Sequence, residues 1–573
     1  MKNYIGLTAN SHDPSLAIVN SNGELVFAEA TERYLQNKRA WFYRPDDLIR
    51  LKKLFKNYLE EGADLVIART WSKPPLLRSI FANFFLYTIY NNLEKNLFHL
   101  KNLTEPGTKA LIGQLMTDGC NIDYIAKEMN PDIRISRKYY DHHLTHAVAA
   151  CMTSPFSQAL CLIVDGIGEN YSVMAVYRYE DGSLTKHMSM PLFRHYSLGF
   201  FYEYVCAACG FKPLEGEEWK VMGLASYGKF DPAIDEIFRD IFVFKDGMLA
   251  RTKNTLSAEK KLVAMTRGRD ESPYRMADLA HTGQKYFCEN MFKLINHYHG
   301  LMNTDNLVLG GGCFLNSSCN GKILENTKFR NVHIFSAPGD DGNSVGAAIM
   351  AYLEDNENAR VTPGFQSPYL GERLNDFSIQ NFLKYNPLKP TPLGSTSVEV
   401  RAAEILARGK IIGWVQGRAE FGPRALGNRS ILADPRPADM KDRINANVKY
   451  REEFRPFAPS ILHEFGNEYF ENYQESPYME RTLRFKKDVV EKVPAVVHVD
   501  GTGRLQTVKK EWNEKYYNLI KAFYEITGIP LIVNTSYNVM GKPIISSVED
   551  AVSVFYTSGI DALVIGDYLF EKP

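Results

Sequence analysis

The chain has 573 residues, 45% of them hydrophobic and 23% charged, too long for one hydrophobic core and ordinary in composition for a soluble protein of about two to four domains. Sixty-seven basic residues balance sixty-seven acidic ones, so no global field draws nucleic acid or an anionic membrane, and a small-molecule enzyme fits better. All eight cysteines lie between Cys120 and Cys319, which does not resemble a disulfide framework and suggests reduced thiols in a cytoplasm. The N-terminal residues have neither the length nor the flanks of a signal peptide.

In chain order, residues 4–8, 16–19 and 25–28 read as three strands. His12 and Asp13 lie in the first turn, and Ser21-Asn22-Gly23 closes a hairpin. Residues 41–45 and the aromatic stretch 80–90 carry little motif-like sequence and are candidates for lining a substrate pocket; the apolar stretch is well short of the ~20 residues a membrane helix needs.

Tyr140-Asp141-His142-His143-Leu144-Thr145-His146 follows. On a helix, His142 and His146 lie one turn apart on one face and offer two nitrogens to one ion, while His143 points elsewhere. The apolar strand 160–164 ends at Asp165-Gly166, and an acid closing a buried strand occupies a site position. Strand 171–177, an Asp181-Gly182 hairpin and strand 184–188 then repeat the grammar of the first thirty residues. A unit of this kind occurring twice indicates a duplicated α/β domain with a cleft between its halves, the form of the actin, sugar kinase and Hsp70 superfamily. Cys206 and Cys209 have redox spacing but sit in an apolar helical pattern, as packing residues do. Lys220, after Glu215-Gly216-Glu217-Glu218, either touches a phosphate or pairs with those acids.

Residues 307–309 run as a strand into Gly310-Gly311-Gly312, with Asn316 shortly after, a candidate phosphate loop. Gly339-Asp340-Asp341-Gly342 leads into a small-residue helix, and Asp340 or Asp341 completes a set of two His and two carboxylates. That mixed N/O set suits iron, manganese or zinc. Between residues 355 and 368 a Pro- and Asn-containing break marks a boundary. Beyond it Arg418, Arg424, Arg429, Lys449, Arg451 and Arg455 are interleaved with Gly and Pro, a pattern of guanidinium forks turned inward toward phosphate or carboxylate groups. Ser536 and Asn538 share a face at the end of the apolar strand 530–533, where ligands commonly bind.

These blocks resemble the ATP- and carbamoyl-phosphate-dependent O-carbamoyltransferases that decorate natural products and nodulation factors. The motifs carrying the resemblance run from His12-Asp13 through His142 to His146, Asp165-Gly166, residues 197–202 and 220–225, the glycine triplet, Gly339 to Gly342, residues 422–429 and 449–459, to residues 534–538. The resemblance implies an α/β chain with a two-lobed, Kae1-like domain over residues 1–355 and an α+β, YrdC-like domain over 356–573, related to the tRNA threonylcarbamoyl-adenosine machinery. It further implies a metal, Fe(2+) or another divalent transition ion, held by His142, His146, Asp165 and Asp340, with His12, Asp13 and Lys220 as catalytic groups. Nucleotide is expected on Gly310, Gly311, Gly312 and Asn316; ATP with Mg(2+) and carbamoyl phosphate are expected among Arg418, Arg424, Arg429, Lys449, Arg451, Arg455, Ser536 and Asn538. The expected partner is a small hydroxyl acceptor, with no nucleic acid and no membrane, and a homodimer is compatible with the pattern. Two competing functions are a related transfer to tRNA and a nucleotide-gated binding protein whose metal is structural.

Overall fold

The computed structural model describes all residues except 9–11, 42, 72–118, 357–358, 360–363, 387 and 573; the aromatic stretch 80–90 lies outside the described residues.

The first sheet holds β1 (Lys2–Thr8), β2 (Ser15–Val19), β3 (Leu25–Ala30), β4 (Asp64–Thr70) and β5 (Ile135–Tyr140), in the order β3-β2-β1-β4-β5. Pairs β1/β2 and β2/β3 are antiparallel, and β1/β4 and β4/β5 parallel. The second sheet is built from β6 (Gln158–Val164), β7 (Ser172–Glu180) and β8 (Ser183–Pro191). After a two-stranded hairpin of β9 (Phe242–Lys245) and β10 (Met248–Arg251), it is completed by β11 (Asn306–Gly310) and β12 (Asn331–Ile334). Its order is β8-β7-β6-β11-β12, with β6/β7 and β7/β8 antiparallel and β6/β11 and β11/β12 parallel. The two sheets therefore repeat one topology strand for strand, as the repeated grammar predicts.

The connection between the lobes is reciprocal. Helix α1 (His142–Met152) leaves the last strand of the first sheet and packs on β6 and β11 of the second, while α2 (Asn343–Asp355) packs on β1, β2 and β4 of the first. The helices lie against each other and share one apolar core, which includes Ala147, Val148, Ala150, Val345, Ala347 and Ala348. Their close approach depends on Gly346, because a Cβ there would collide with the Thr145 carbonyl oxygen. Small residues replace bulk at this crossing, and both helix starts are brought to one point.

The C-terminal half is an eight-stranded mixed sheet. It holds β13 (Ile412–Val415), β14 (Arg429–Ala433), β15 (Ala458–Leu462), β16 (Arg481–Arg484), β17 (Thr502–Val508), β18 (Leu531–Ser536), β19 (Ala562–Ile565) and β20 (Tyr568–Glu571). Their order is β16-β17-β15-β18-β14-β13-β19-β20. Its core runs from Ile379 to Phe570 and includes the buried Trp414. Leu370 and Phe421 pack into the inter-lobe core and Phe454 into the core of the second lobe, so apolar burial joins the halves directly.

Cys206 and Cys209 are buried at the end of the helix Leu198–Ala208. Burial pushes the Cys209 thiol up to about 12 and raises that of Cys206 as well, as fits packing residues rather than redox thiols. Among the described residues no helix is long and apolar enough to cross a membrane.

Candidate metal centre and cation-lined site

Asp141 precedes α1 and accepts a hydrogen bond from the Leu144 amide at 2.9 Å, an N-cap of the kind whose loss costs about 0.5–2 kcal/mol. It fixes the first turn, from which His142 and His146 project. His142 Nε2 lies 3.1 Å from Asp165 Oδ2 and 3.5 Å from Asp340 Oδ1; His146 Nε2 lies 3.6 and 3.5 Å from the same atoms. One donor atom from each of the four residues falls within 4.8 Å of all the others. Donors about 2.0–2.2 Å from one ion stand roughly 3–3.5 Å apart, close to the four His–Asp separations, so the set suits a divalent transition ion. A further sign of fit is that His146 Nε2 is buried with no hydrogen-bond partner among the described residues. Asp340 is the aspartate of the set, whereas Asp341 turns its Oδ1 back to the Gly342 amide at 3.1 Å.

The charges in this cluster answer one another. Burial opposes charge on His146, yet the neighbouring Asp165 and Asp340 carboxylates push it up to about 9. Against the same burial the two histidines hold Asp165 well below the usual carboxylate range. His143 does point elsewhere: its Nδ1 meets Ser172 Oγ at 3.1 Å, and burial pushes it down to about 3.

The glycine triplet lies against this centre, and two of its amides are engaged by the protein itself. The Gly312 amide donates to Asp165 Oδ1 at 3.1 Å and the Gly311 amide to the Pro338 carbonyl at 2.8 Å. Gly311 has φ +96°, and a Cβ would collide with the Val164 carbonyl, so glycine is required there. Gly310 ends β11. Asn316 caps the short helix Ser317–Asn320 through Cys319 at 3.0 Å and pairs with Gln284, so its polar atoms serve the fold.

His12 stands beside the centre, with Nδ1 3.9 Å from Asp340 Oδ2. The same nitrogen is 2.9 Å from Asp13 Oδ2, and Arg39 donates to that oxygen from Nε and Nη2 at 3.2 and 3.0 Å. Arg39 Nη2 also lies 3.0 Å from His12 Nδ1, so that nitrogen is offered both an acceptor, Asp13, and a donor, Arg39. Burial raises the Asp13 carboxyl, but Arg39 and then His12 outweigh it and hold Asp13 well down. The edge of Trp41 is packed against the His12 ring at 5.1 Å.

The C-terminal half holds a second polar site of opposite character. Lys449, buried, donates to Ser536 O, to Ser536 Oγ at 3.2 Å, to Asn538 O at 3.1 Å and to Asn538 Oδ1 at 2.7 Å. Burial first, then Arg451 and Arg455, lowers it well below the usual lysine range. Arg451 reaches Asn445 Oδ1 at 2.8 Å and lies over Phe457; burial and Arg455 push it down to about 9. Among the described residues Arg424 has no acid beside it, and burial alone pushes it to about 10. Arg504, from β17, completes the group: its Nε is buried without a partner among the described residues, and burial followed by Arg424 and Arg451 lowers it strongly. Sequence reasoning missed Arg504, and its only local signal is one cation in an otherwise uncharged strand.

Two further expected members, Arg429 and Arg418, are engaged by backbone carbonyls. Arg429, fully buried, donates from Nη1 to the Gln416 and Asn428 carbonyls at 2.6 and 2.9 Å. Arg418 donates from Nε to Gly371 O at 3.0 Å and from Nη2 to Val26 O at 2.8 Å and to Leu370 O. Both guanidinium groups tie loops together rather than facing a ligand space. Glu420, also missed, holds the loop that carries Arg424 by accepting from the amides of Leu426, Asn428 and Arg429 at 2.7, 2.8 and 3.1 Å.

One helix bridges the two sites. Along Glu218–Ala225, Lys220 pairs with Glu217 at 2.6 Å and with Glu452 of the C-terminal half at 2.8 Å. Beside it Arg455 stacks on Trp219 at 3.8 Å. Of the two readings of Lys220, the one found here is pairing with acids, one of them across the halves.

Comparison with known proteins places these features together. A family model described as carbamoyltransferase N-terminus matches residues 3–349, and one described as carbamoyltransferase C-terminus matches 403–572. The chain is 38% identical to nodulation protein NolNO of Sinorhizobium fredii over 78% of its own length and 66% of that protein, so it spans about two thirds of this longer relative. It is 37% identical to nodulation protein NolO of Bradyrhizobium diazoefficiens over 75% of its length and 79% of the relative. A solved structure, component A of the Acidaminococcus fermentans (R)-2-hydroxyglutaryl-CoA dehydratase, aligns with 62% of this chain and 99% of its own, at 11% identity and a TM-score of 0.33.

Proposed function

The chain belongs to the carbamoyltransferase family, and from that premise we propose that it forms carbamoyl adenylate from carbamoyl phosphate and ATP in its C-terminal half and passes the carbamoyl group to a hydroxyl of a small natural product in its N-terminal half. The observation that carries the reading is the pairing of two unlike sites in one chain, buried cations lacking counter-charge in one half and a four-donor centre beside a histidine in the other.

In the first half-reaction water cleaves carbamoyl phosphate to carbamate and inorganic phosphate. A carbamate oxygen then attacks the α-phosphorus of ATP, and pyrophosphate leaves. Every species is anionic, and Arg424, Arg451, Arg455 and Arg504 are placed to take up the charge, with Lys449 fixed against Ser536 and Asn538. ATP brings its own Mg(2+). In the second half-reaction the acceptor hydroxyl attacks the carbamoyl carbon and AMP leaves. His12 takes the hydroxyl proton, with Asp13 and Arg39 holding the ring. His142, His146, Asp165 and Asp340 would hold a divalent transition ion, iron among those their donor set suits, and such an ion supplies Lewis acidity toward a carbonyl oxygen.

The test is mass spectrometry of a panel of hydroxylated acceptors incubated with enzyme, ATP and carbamoyl phosphate, alongside pyrophosphate release. ATP consumption independent of carbamoyl phosphate removes the adenylate step. No carbamoyl-phosphate-dependent turnover at all favours the nucleotide-gated binding protein, and a carbamoylated tRNA replaces the small acceptor.

A further inference from the structure

Asn343 is the first residue of α2 and is fully buried. The crossing made by Gly346 and Thr145 brings it against the first residue of α1. Its Nδ2 lies 3.3 Å from His142 Nδ1, and its Oδ1 is buried with no hydrogen-bond partner among the described residues. His142 is thus contacted on both ring nitrogens, by Asp165 at Nε2 and by Asn343 at Nδ1.

A neutral imidazole carries one proton. With its Nδ2 toward His142 Nδ1, Asn343 suits a ring protonated on Nε2, toward Asp165 Oδ2, whereas with its Oδ1 there it suits a ring protonated on Nδ1. An ion among the four donors takes the Nε2 lone pair, which moves the ring proton to Nδ1 and turns that nitrogen from acceptor to donor. The amide nitrogen then faces another donor, and a buried donor left unmatched is costly. Turning the carboxamide over by a half-turn brings the unpartnered Oδ1 to Nδ1 and restores the bond. A carboxylate at this position serves only one of the two states and adds a third negative charge to a buried centre that already has two. An apolar side chain serves neither.

We propose that Asn343 is a positioning residue for the metal centre, holding His142 in the tautomer whose Nε2 is free for an ion. This rests on the reading of His142, His146, Asp165 and Asp340 as metal ligands. The segment 340–343 then grips the ion twice, through Asp340 and through the ring that Asn343 orients.

The test is titration of the full-length chain with Co(2+) in competition with a chelator, comparing wild type, Asn343→Leu, Asn343→Ala and Asn343→Asp at matched folded fraction by circular dichroism. Loss of an outer-shell partner lowers metal affinity by about 10–100-fold, and that loss is expected in Leu and Ala, with the bound ion's visible band shifted. Asn343→Asp, which keeps an acceptor, is expected within a few-fold of wild type. If Leu or Ala also binds within a few-fold of wild type, Asn343 has no positioning role. An Asp variant as weak as Leu means that the side chain is needed only for packing, and the proposal is equally overturned. A wild-type chain that binds no Co(2+) removes the ligand assignment itself, and the proposal with it.

Discussion

The metal centre and the cation-lined site solve the problem of buried charge in opposite ways. At the centre, two carboxylates face two histidines: the carboxylates drive His146 up to about 9, and the histidines hold Asp165 well below the usual carboxylate range. At the cation-lined site like faces like: after burial has already lowered them, Arg504 is depressed further by Arg424 and Arg451, and Arg451 by Arg455. Arg504 Nε has no partner among the described residues. The first site is compensated within the folded chain; in the second, Arg424 and Arg504 have no acid beside them among the described residues, and on the proposed function an anion supplies the missing charge. Burying an uncompensated charge costs several kcal/mol, so the second arrangement persists because apolar and backbone contacts elsewhere in the eight-stranded sheet maintain it. A site poised in this way converts relief of internal repulsion into anion affinity.

The comparison is broken most severely at the metal ligands. His142→Ala or His146→Ala is expected to abolish transfer to acceptor and to lose bound metal while leaving pyrophosphate release close to wild type, since the adenylating site is elsewhere in the chain. Metal content and both product assays on one preparation check this. If pyrophosphate release falls in step with transfer, the two sites are not independent.

His12→Asn sharpens the same contrast by leaving the ligands in place. Transfer from preformed carbamoyl adenylate, followed in a single turnover, is expected to slow by ~100-fold or more, the lower range for loss of a general base, with metal binding retained. A rate within a few-fold of wild type makes His12 a packing residue of its turn.

Both predictions concern residues that stand out in the amino-acid sequence. The strand-turn-strand grammar identifies the duplicated sheets, and Asp141 with the one-turn histidine spacing locates α1 and its ligand face, because local periodicity carries that information. What is not legible depends on which way a side chain faces after distant segments have packed. Arg424 and Arg429 are five residues apart and look equivalent in sequence, but Arg429 opens the inner strand β14 and is taken by the Gln416 and Asn428 carbonyls. Arg504 lies far along the chain with no motif around it. Asn343 reads in sequence only as part of a small-residue helix start, and its contact to His142 exists only because two lobes exchange their helices.

At the cation-lined site Arg455→Ala is expected to reduce carbamoyl-phosphate-dependent pyrophosphate release by about 10–100-fold, equivalent to one hydrogen bond to a charged group at roughly 1.5–3 kcal/mol. Arg455 also stacks on Trp219 and pairs with Glu452 at 3.3 Å. Part of the loss therefore reflects the bridging helix, and Trp219→Leu, which removes only the stack, separates the two. Full activity in Arg455→Ala excludes it from phosphate binding.

The smallest effect is the most diagnostic, because its sign differs between two arginines of the same half. Removing the charge of Arg504 by Arg504→Gln takes away a buried cation that faces Arg424 and Arg451. The ligand-free protein should therefore melt at the same temperature or slightly higher, by an amount on the order of 1 kcal/mol. Arg429→Gln should act in the reverse sense, since it leaves the buried carbonyls of Gln416 and Asn428 without their donor, at a cost of about 3 kcal/mol. Inorganic phosphate or pyrophosphate added at about a hundred times its dissociation constant should stabilise wild type by ~2.7 kcal/mol and Arg504→Gln by much less. Thermal melts of the three proteins with and without phosphate read out both effects at once. If Arg504→Gln is destabilised as much as Arg429→Gln, Arg504 belongs to the scaffold, and the charge of the second site is compensated in the folded chain just as it is at the metal centre.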